Sequence, residues 1–322
     1  MYVRPSRRSL SLAAATALLG LALTLAGATA SLARSSSGPA AGTPARPGLP
    51  GAPGAPGALP ARLGAPTVFA HRGASAYAPE NTLAAVDHAD GLGIEWVEND
   101  VQRTRDGELV VVHDETLART TDAEQVFPDR SPWRVADFTA AEIARLDAGS
   151  WFGAGFAGAR VPTLREYLDR LELNGQRLLL EIKLPALYPG IEQDTVRVLE
   201  EAGWLDRRHV TRRLVVQSFA ADSIRTVHAL RPDLTTAFLG TPAVAELPAY
   251  AAFTDRINPW YGGISAEWVA AVHDLTGPHG RRLEVDAWTV DNADVAVRMA
   301  DLGVDGIITN RPDRIRDAVT GR

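Results

Sequence analysis

Short runs of β-branched and aliphatic residues alternate with helical stretches from Ala65 to Arg322, and this alternation constrains the fold more than any other feature. It predicts repeated βα units, in which the strands lie parallel in one sheet and helices cover its faces. Nine runs are candidate strands: Thr67–Arg72, Glu95–Val101, Leu109–His113, Leu178–Lys183, Leu214–Phe219, Leu234–Gly240, Trp260–Ser265, Leu283–Val290 and Gly306–Asn310.

The second and third candidate strands are joined by Asp106-Gly107, a dipeptide typical of tight antiparallel turns. The third run is therefore predicted to be a hairpin extension of the second, which leaves eight strands for the wall of a barrel. The folded part, residues 65–322, fits the ~250 residues of a (β/α)8 TIM barrel, so the predicted fold class is α/β with this architecture. Residues 115–162 show no clear strand and are predicted to form a small insertion above the barrel mouth.

Residues 1–30 are typical of an export signal. Three arginines within the first eight residues precede an uncharged run over residues 9–33, and Ala28-Thr29-Ala30 fits a cleavage site of the A-x-A type. The arginine pair also resembles a twin-arginine signal. The alternative is an uncleaved membrane anchor, since ~20 apolar residues span a bilayer. Under both interpretations the folded part is expected outside the cytoplasm, either secreted or associated with the cell envelope.

Residues 31–64 are predicted to be a linker rich in Pro, Gly and Ala. They show no apolar period, so this segment cannot bury a face and is expected to be extended. The folded domain is therefore expected to begin near Ala65.

The charge of the remaining chain argues against a nucleic-acid partner. Residues 1–64 contain six arginines and no acid, so the rest carries 27 basic against 39 acidic residues. Proteins that bind phosphate backbones need the opposite sign. The chain has no cysteine, which excludes disulfides, thiolate metal sites and thiol nucleophiles. It also has a single lysine, Lys183.

Charged residues close several of the apolar runs, and these are the candidate functional residues. In a (β/α)8 barrel the active site lies at the carboxyl ends of the wall strands. Side chains at i and i+2 of a strand point to the same face, so Glu98 with Asp100, and Glu181 with Lys183, are each predicted to share a face. One such pair is usually solvated, but charges that follow apolar runs at several strand ends need partners when they are buried. The other strand ends contribute His71, Arg72 and His113.

Histidines and aromatic residues outside these strand ends have plainer interpretations. Five histidines are predicted to be surface or packing residues: His88, His209, His228, His273 and His279. Four aromatic residues of the insertion are expected either to pack it down or to face a lipid surface: Trp133, Trp151, Phe152 and Phe156.

An ordered series of motifs resembles the glycerophosphodiester phosphodiesterase family, within the superfamily of phospholipase-C-like barrels. The resemblance spans residues 68–312, nearly the whole predicted domain, and the order and spacing of the motifs are specific. The matching segments are His71-Arg72-Gly73, Pro79-Glu80-Asn81-Thr82, Glu98-x-Asp100-Val101, Thr104-x-Asp106-Gly107, Val112-His113-Asp114-x-x-Leu117-x-Arg119-x-Thr121, Glu181-Ile182-Lys183, Trp288-Thr289-Val290 and Gly303-Val304-Asp305-Gly306-Ile307-Ile308-Thr309-Asn310.

The resemblance implies a divalent metal site at Glu98, Asp100 and Glu181. Three oxygen ligands without cysteine suit Ca²⁺ or Mg²⁺. Arg72 and Lys183 are expected to bind the substrate phosphodiester, because positive charge on its non-bridging oxygens makes attack feasible.

His71 and His113 are the expected acid–base pair, with neither assigned to one role. The nucleophile is either water or the neighbouring glycerol hydroxyl, the latter giving a cyclic phosphate that water then opens. Trp288 is expected to line the mouth and contact the glycerol or head group. Glu80 either hydrogen-bonds within the site or orients the first helix.

The sequence therefore predicts an exported metal-dependent phosphodiesterase that hydrolyses glycerophosphodiesters to sn-glycerol 3-phosphate and an alcohol. One alternative is a phospholipase of the same superfamily that acts on lipids, namely a lysophospholipase D, a sphingomyelinase D or a phosphatidylinositol phospholipase C. Another is a non-catalytic binding module at the cell surface. The expected partner is a small-molecule substrate, membrane contact is compatible but not required, and the sequence predicts no oligomeric state.

Overall fold

The computed structural model describes residues Gly64–Gly321. The predicted export signal and residues 31–63 of the predicted linker lie outside the described residues. Within the described range, no helix is both long enough and apolar enough to cross a bilayer.

Nine strands form one sheet, and eight of them close into a parallel barrel. The order around the wall is β1-β9-β8-β7-β6-β5-β4-β2, and β1 pairs with β2 to close it. The strands are β1 (Thr67–Ala70), β2 (Trp96–Arg103), β3 (Leu109–Val111), β4 (Arg177–Ile182), β5 (Leu214–Ser218), β6 (Thr236–Leu239), β7 (Arg256–Asn258), β8 (Glu284–Ala287) and β9 (Gly306–Thr309).

Helices follow the wall strands and cover the outside of the barrel, which confirms the predicted (β/α)8 architecture. Several begin at side-chain caps: Thr82 accepts a hydrogen bond from Ala85 N, and Thr163 forms a capping box with Glu166. The helices are α1 (Leu83–Gly91), α2 (Ala123–Val126), α3 (Ala140–Ile143), α4 (Leu164–Asn174), α5 (Ile191–Glu201), α6 (Arg207–Arg212), α7 (Ala221–Leu230), α8 (Leu247–Tyr250), α9 (Ala266–His273), α10 (Ala293–Leu302) and α11 (Pro312–Thr320).

The predicted hairpin is confirmed. Strand β3 runs antiparallel to β2, with Val111 opposite Val101 and Leu109 opposite Arg103. The insertion after β3 contains α2, α3 and short 3₁₀ turns, and no named strand falls in it. Its buried residues form a separate small core against β3, in which Phe138 and Leu146 are fully buried.

The seventh of the nine candidate strands was predicted at the wrong place. The predicted strand Trp260–Ser265 is instead a short 3₁₀ turn followed by Ser265, which caps α9. The real strand, β7, has three residues, of which Arg256 and Asn258 are polar. Because only Ile257 is apolar, the strand lacked the hydrophobic run by which the others were recognised.

The interior of the barrel is filled by side chains from alternate positions of the wall strands, as expected for a strand periodicity of two. Trp288 packs against this cluster from the carboxyl end. The cluster consists of Phe69, Trp96, Leu179, Val215, Ala237 and Ile308.

Candidate active site

Polar side chains continue the interior columns of the barrel toward its carboxyl end. On β2, Glu98 and Asp100 follow the interior residue Trp96 at steps of two, and on β4, Glu181 follows Leu179 in the same way. Strands β2 and β4 are paired with Asp100 opposite Glu181. The predicted carboxylates are therefore brought together by the alternation of two neighbouring strands.

The three carboxylates form a compact buried cluster. One oxygen from each of Glu98, Asp100 and Glu181 lies within 4.8 Å of the other two, and all three residues are buried. Oδ1 of Asp100 is buried without a hydrogen-bond partner among the described residues, and Nζ of Lys183 is 3.7 Å from it. A buried carboxylate oxygen without a hydrogen bond is costly, so this atom faces a place where a ligand is expected.

The electrostatics of the cluster also fit a bound cation. Burial, and then the charges of Asp100 and Glu181, raise the pKa of Glu98 well above its usual value. Burial, and then Asp100, raise the pKa of Glu181 to about 8. For Asp100 burial acts in the same direction, but Arg72 and Lys183 outweigh it and lower its pKa. A donor set of hard oxygens in a site short of positive charge fits Ca²⁺ or Mg²⁺.

Two cations lie at the edge of this cluster. Lys183 Nζ is 2.7 Å from Glu181 Oε1. Arg72 donates from Nη1 to Glu80 at 2.9 Å, and its Nε is 3.4 Å from Asp100 Oδ2. Glu80 therefore hydrogen-bonds within the site, while the cap of α1 is Thr82.

A tight turn after β1 aims Arg72 at the carboxylates. Arg72 and Gly73 both have positive φ, 53° and 81°, and the backbone N–H of Arg72 donates to Glu98 Oε2 at 2.8 Å. A Cβ on Gly73 would lie 2.5 Å from the Cβ of Ala85 in α1. Only glycine combines this conformation with such a close approach, which explains the glycine at position 73.

The side-chain amide of Asn310 orients the ring of His71. Its Nδ1 is 2.7 Å from Asn310 Oδ1, while Asn310 Nδ2 donates to Asp291 at 2.6 Å. Since a carboxylate only accepts, Asp291 directs the NH₂ group of Asn310 to itself and the oxygen to His71. Nδ1 of His71 therefore carries the proton, and Nε2, 4.0 Å from Glu98, faces the pocket. Burial, and then Arg72, lower the pKa of His71 to about 4.

His113 is oriented by a carboxylate. Its Nδ1 lies 2.7 Å from Asp114 Oδ1, which leaves Nε2 as the ring nitrogen available to a ligand. Arg119, from the insertion, donates to Asp114 and makes a two-pronged contact with Glu80 at 2.7 and 2.8 Å. Because Glu80 also binds Arg72, one chain of charge-assisted hydrogen bonds connects His113 to Arg72.

These groups surround one pocket of about 380 Å³. Asp100 lies buried beside it, and the other seven predicted site residues line it: His71, Arg72, Glu98, His113, Glu181, Lys183 and Trp288. Trp288 is held by a hydrogen bond from Nε1 to Asn258 O at 2.8 Å, and its ring meets Phe219 edge to face with centroids 5.4 Å apart.

Several residues of the site were not assigned by the sequence analysis. Asn81 donates to Asp100 Oδ2 at 2.8 Å, and Asn310 and Arg119 support the two histidines. All three fall inside the matching motifs, but their partners are distant in sequence. Gln217 lines the pocket and accepts from Asn258, and its only signal was a polar residue inside the apolar run of β5.

Comparisons with known proteins agree with this geometry. A glycerophosphodiester phosphodiesterase of Caldanaerobacter subterraneus subsp. tengcongensis is 37% identical over 260 residues, covering 78% of this chain and 97% of the relative. One from Bacillus subtilis is 35% identical over 261 residues, covering 76% and 83%. An Oleispira antarctica phosphodiesterase, solved in complex with the product sn-glycerol-3-phosphate, superposes with a TM-score of 0.69 at 28% identity, covering 79% of this chain and 97% of that one.

The model of the glycerophosphoryl diester phosphodiesterase family matches residues 71–314, the range that carries every residue of the pocket described above. The match covers the barrel from the turn after β1 into α11. The chain therefore belongs to the glycerophosphoryl diester phosphodiesterase family.

Proposed function

We propose that the protein hydrolyses glycerophosphodiesters to sn-glycerol 3-phosphate and an alcohol, with a divalent cation at its carboxylate cluster. The observation that carries the proposal is the arrangement of the two histidines. Each ring already uses Nδ1 in a hydrogen bond to a side chain, and each lines the same pocket as two cations and two of the buried carboxylates.

The substrate phosphodiester is negatively charged, so its attack requires positive charge on the non-bridging oxygens. Arg72 offers a planar guanidinium and Lys183 an ammonium at the pocket wall. Glu98, Asp100 and Glu181 would hold Ca²⁺ or Mg²⁺, which supplies further positive charge to the phosphoryl oxygens and to a nucleophile.

The two imidazoles account for the proton transfers. One accepts a proton at Nε2 from the nucleophile, which is water or the neighbouring glycerol hydroxyl, as the new P–O bond forms. The other donates a proton from Nε2 to the leaving alkoxide as the old P–O bond breaks. Asn310 and Asp114 keep the proton-carrying Nδ1 of each ring turned away from the pocket.

The relatives support this assignment. The Caldanaerobacter and Bacillus proteins bear the name of this activity, and the Oleispira structure contains the proposed product.

The proposal that the protein is exported rests on residues 1–30 alone. It predicts that the protein accumulates outside the cytoplasm of its host and that replacing Arg7 and Arg8 by lysine retains it inside, as cell fractionation would measure.

The test of the activity is turnover of glycerophosphocholine by the full chain in Ca²⁺ or Mg²⁺, measured as glycerol 3-phosphate released. His71→Ala and His113→Ala should each lower kcat by ~10²-fold or more, the size of a lost acid–base group. The free energy of unfolding of both variants should stay near the wild-type value. His88→Ala is the matched control, because His88 lies exposed on α1 and stacks on Tyr77. Normal turnover by either site variant would contradict the assignment.

A further inference from the structure

Arg119 extends from the insertion to two acidic residues beside the catalytic pocket. It binds Glu80 through both terminal nitrogens, Nη1 to Oε2 at 2.8 Å and Nη2 to Oε1 at 2.7 Å. Its Nε and Nη2 donate to Asp114 at 2.5 and 3.1 Å. One guanidinium therefore holds two carboxylates. Each carboxylate in turn contacts a group that the proposed reaction uses, Arg72 in one case and His113 in the other.

The insertion fixes the position of Arg119. Leu117 is fully buried in the core of the insertion, and its backbone N–H donates to Trp133 O at 2.9 Å. Thr121 is also buried, and its hydroxyl donates to Leu117 O at 2.6 Å. The chain on both sides of Arg119 is thus held by packing and hydrogen bonds, while the side chain of Arg119 stays 45% exposed. The segment contributes the placement of a guanidinium rather than packing of the core by that side chain.

Glu80 lies between two arginines. Its Oε1 accepts from Arg119 and also from Arg72 Nη1 at 2.9 Å. Burial raises the pKa of Glu80, but Arg119 and then Arg72 outweigh it and lower the pKa, so the carboxylate stays ionised. Glu80 and an incoming phosphodiester compete for Arg72, because both are anions that a guanidinium binds. Arg119 weakens Glu80 in this competition, since it donates to both carboxylate oxygens.

We propose that Arg119 is a positioning residue of the reaction. By occupying Glu80 it leaves Arg72 free to bind the substrate phosphodiester. By binding Asp114 it keeps that carboxylate aligned with Nδ1 of His113. Arg119 lies outside the lining of the pocket, so it acts through these partners. This inference rests on the proposed function.

The arrangement predicts what Glu80 does when Arg119 is removed. Arg72 is then the cation that remains in contact with Glu80, and Oε2 of Glu80 loses the hydrogen bond that it accepts from Arg119. The side chain of Arg72 donates one hydrogen bond to the described residues, the one to Glu80, so it has donors left for a second. A two-pronged pair is stronger than a single bond and would hold the guanidinium away from the phosphate.

The test measures turnover of glycerophosphocholine by the full chain in Ca²⁺ or Mg²⁺, together with the inhibition constant of sn-glycerol 3-phosphate. Arg119→Met should raise the inhibition constant about tenfold, the value of one hydrogen bond between charged groups. It should also lower kcat, because the ring of His113 loses an aligned acceptor. Adding Glu80→Gln should return the inhibition constant to within about threefold of the wild-type value, since a neutral amide holds Arg72 more weakly. In this double variant kcat should stay low, because Asp114 still lacks its partner.

The matched control is Arg134→Met. Arg134 also belongs to the insertion, is 51% exposed and lies 3.2 Å from Glu115, and neither of these two residues lines the pocket. Its replacement should leave the inhibition constant and kcat unchanged. Since the side chain of Arg119 is also half exposed, Arg119→Met should melt like this control.

Rescue of binding by the second substitution separates a positioning role from a structural one, because two structural losses would add. The positioning role would be wrong if Arg119→Met behaved like the control. It would also be wrong if the double variant bound the inhibitor no more tightly than Arg119→Met. Both results leave hydrolysis by the wild-type chain, and with it the proposed function, standing. No hydrolysis by the wild-type chain would overturn both.

Discussion

The two ends of the barrel both bury arginine beside carboxylates, but they arrange these charges differently. At the carboxyl end, Glu98, Asp100 and Glu181 are all buried, and their oxygens lie within 4.8 Å of one another. Arg72, which follows β1, and Lys183, which follows β4, lie against them. The cluster has more negative charge than its partners neutralise, and the imbalance is concentrated in one place.

At the amino end, the acidic residues are spread out. Arg256 donates to Asp286 at 2.9 Å and lies 2.6 Å from Glu284. Asp286 is fully buried, whereas Glu284 is 42% exposed and is screened by water. Asp305 accepts separately from Arg282, His273 and the backbone of Val285.

Crowding of the carboxylates, rather than their number, separates the two ends. Where the acids are dispersed and each contacts an arginine, we expect their role to be structural. Where they are crowded beside an open pocket, their charges repel one another, and a bound cation would relieve that repulsion. We therefore expect changes at the amino end to alter stability and changes at the carboxyl end to alter activity.

The largest effect is expected from Arg256→Met. It leaves Asp286 buried without its cation, and breaking such a pair lowers the free energy of unfolding by about 3–5 kcal/mol. Urea denaturation measures this loss. At temperatures well below melting, kcat should stay near the wild-type value, because the site lies at the other end of the strands.

Arg282→Met is the control for that experiment. Arg282 is half exposed and pairs with Asp305, so its removal should cost no more than about 1 kcal/mol. The proposed division between the two ends would be wrong if Arg256→Met had the wild-type free energy of unfolding. It would also be wrong if the folded variant lost most of its turnover.

A smaller effect concerns pH. Burial, and then Glu284, raise the pKa of Asp286 to about 6 against the opposing effect of Arg256. The folded state therefore binds this proton more tightly than the unfolded state, whose aspartate has a pKa of about 3.9. The resulting stability is fully present below pH 4 and is lost as the pH rises through 6, by roughly 3 kcal/mol in total.

Asp286→Asn isolates this contribution, because the amide stays neutral. Between pH 4 and pH 7 the free energy of unfolding of the variant should improve relative to the wild type by roughly 2 kcal/mol. A difference that stayed constant over this range would show that Asp286 ionises with an ordinary pKa.

Sequence reasoning recovered the parts of the molecule that depend on local pattern. The alternation of apolar runs predicted the barrel, and the i, i+2 rule placed Glu98 beside Asp100 and Glu181 near Lys183. The strand β7 was missed because only Ile257 of its three residues is apolar, and its polar residues Arg256 and Asn258 find their partners on β8 and β5, far away in the sequence.

The contacts that orient the site could not be read from the sequence. Arg119 reaches Glu80 and Asn310 reaches His71 across 39 and 239 residues, and such pairings are set by the closure of the barrel. The aromatic residues of the insertion illustrate the same limit. Trp133 packs against the core of the insertion and Phe152 against Phe156, so only Trp151 of the four is largely exposed.

The most direct test of the central claim is the melting temperature and turnover of the full chain in a chelator and after addition of Ca²⁺ or Mg²⁺. A cation that binds only the folded state should stabilise it by about 2.7 kcal/mol at a hundredfold excess over its dissociation constant. We predict that chelation abolishes activity and lowers the melting temperature, and that the cation restores both. Glu98→Gln should stay folded but lose the metal-dependent shift. Full activity and an unchanged melting curve in the chelated wild-type protein would contradict the three-carboxylate metal site.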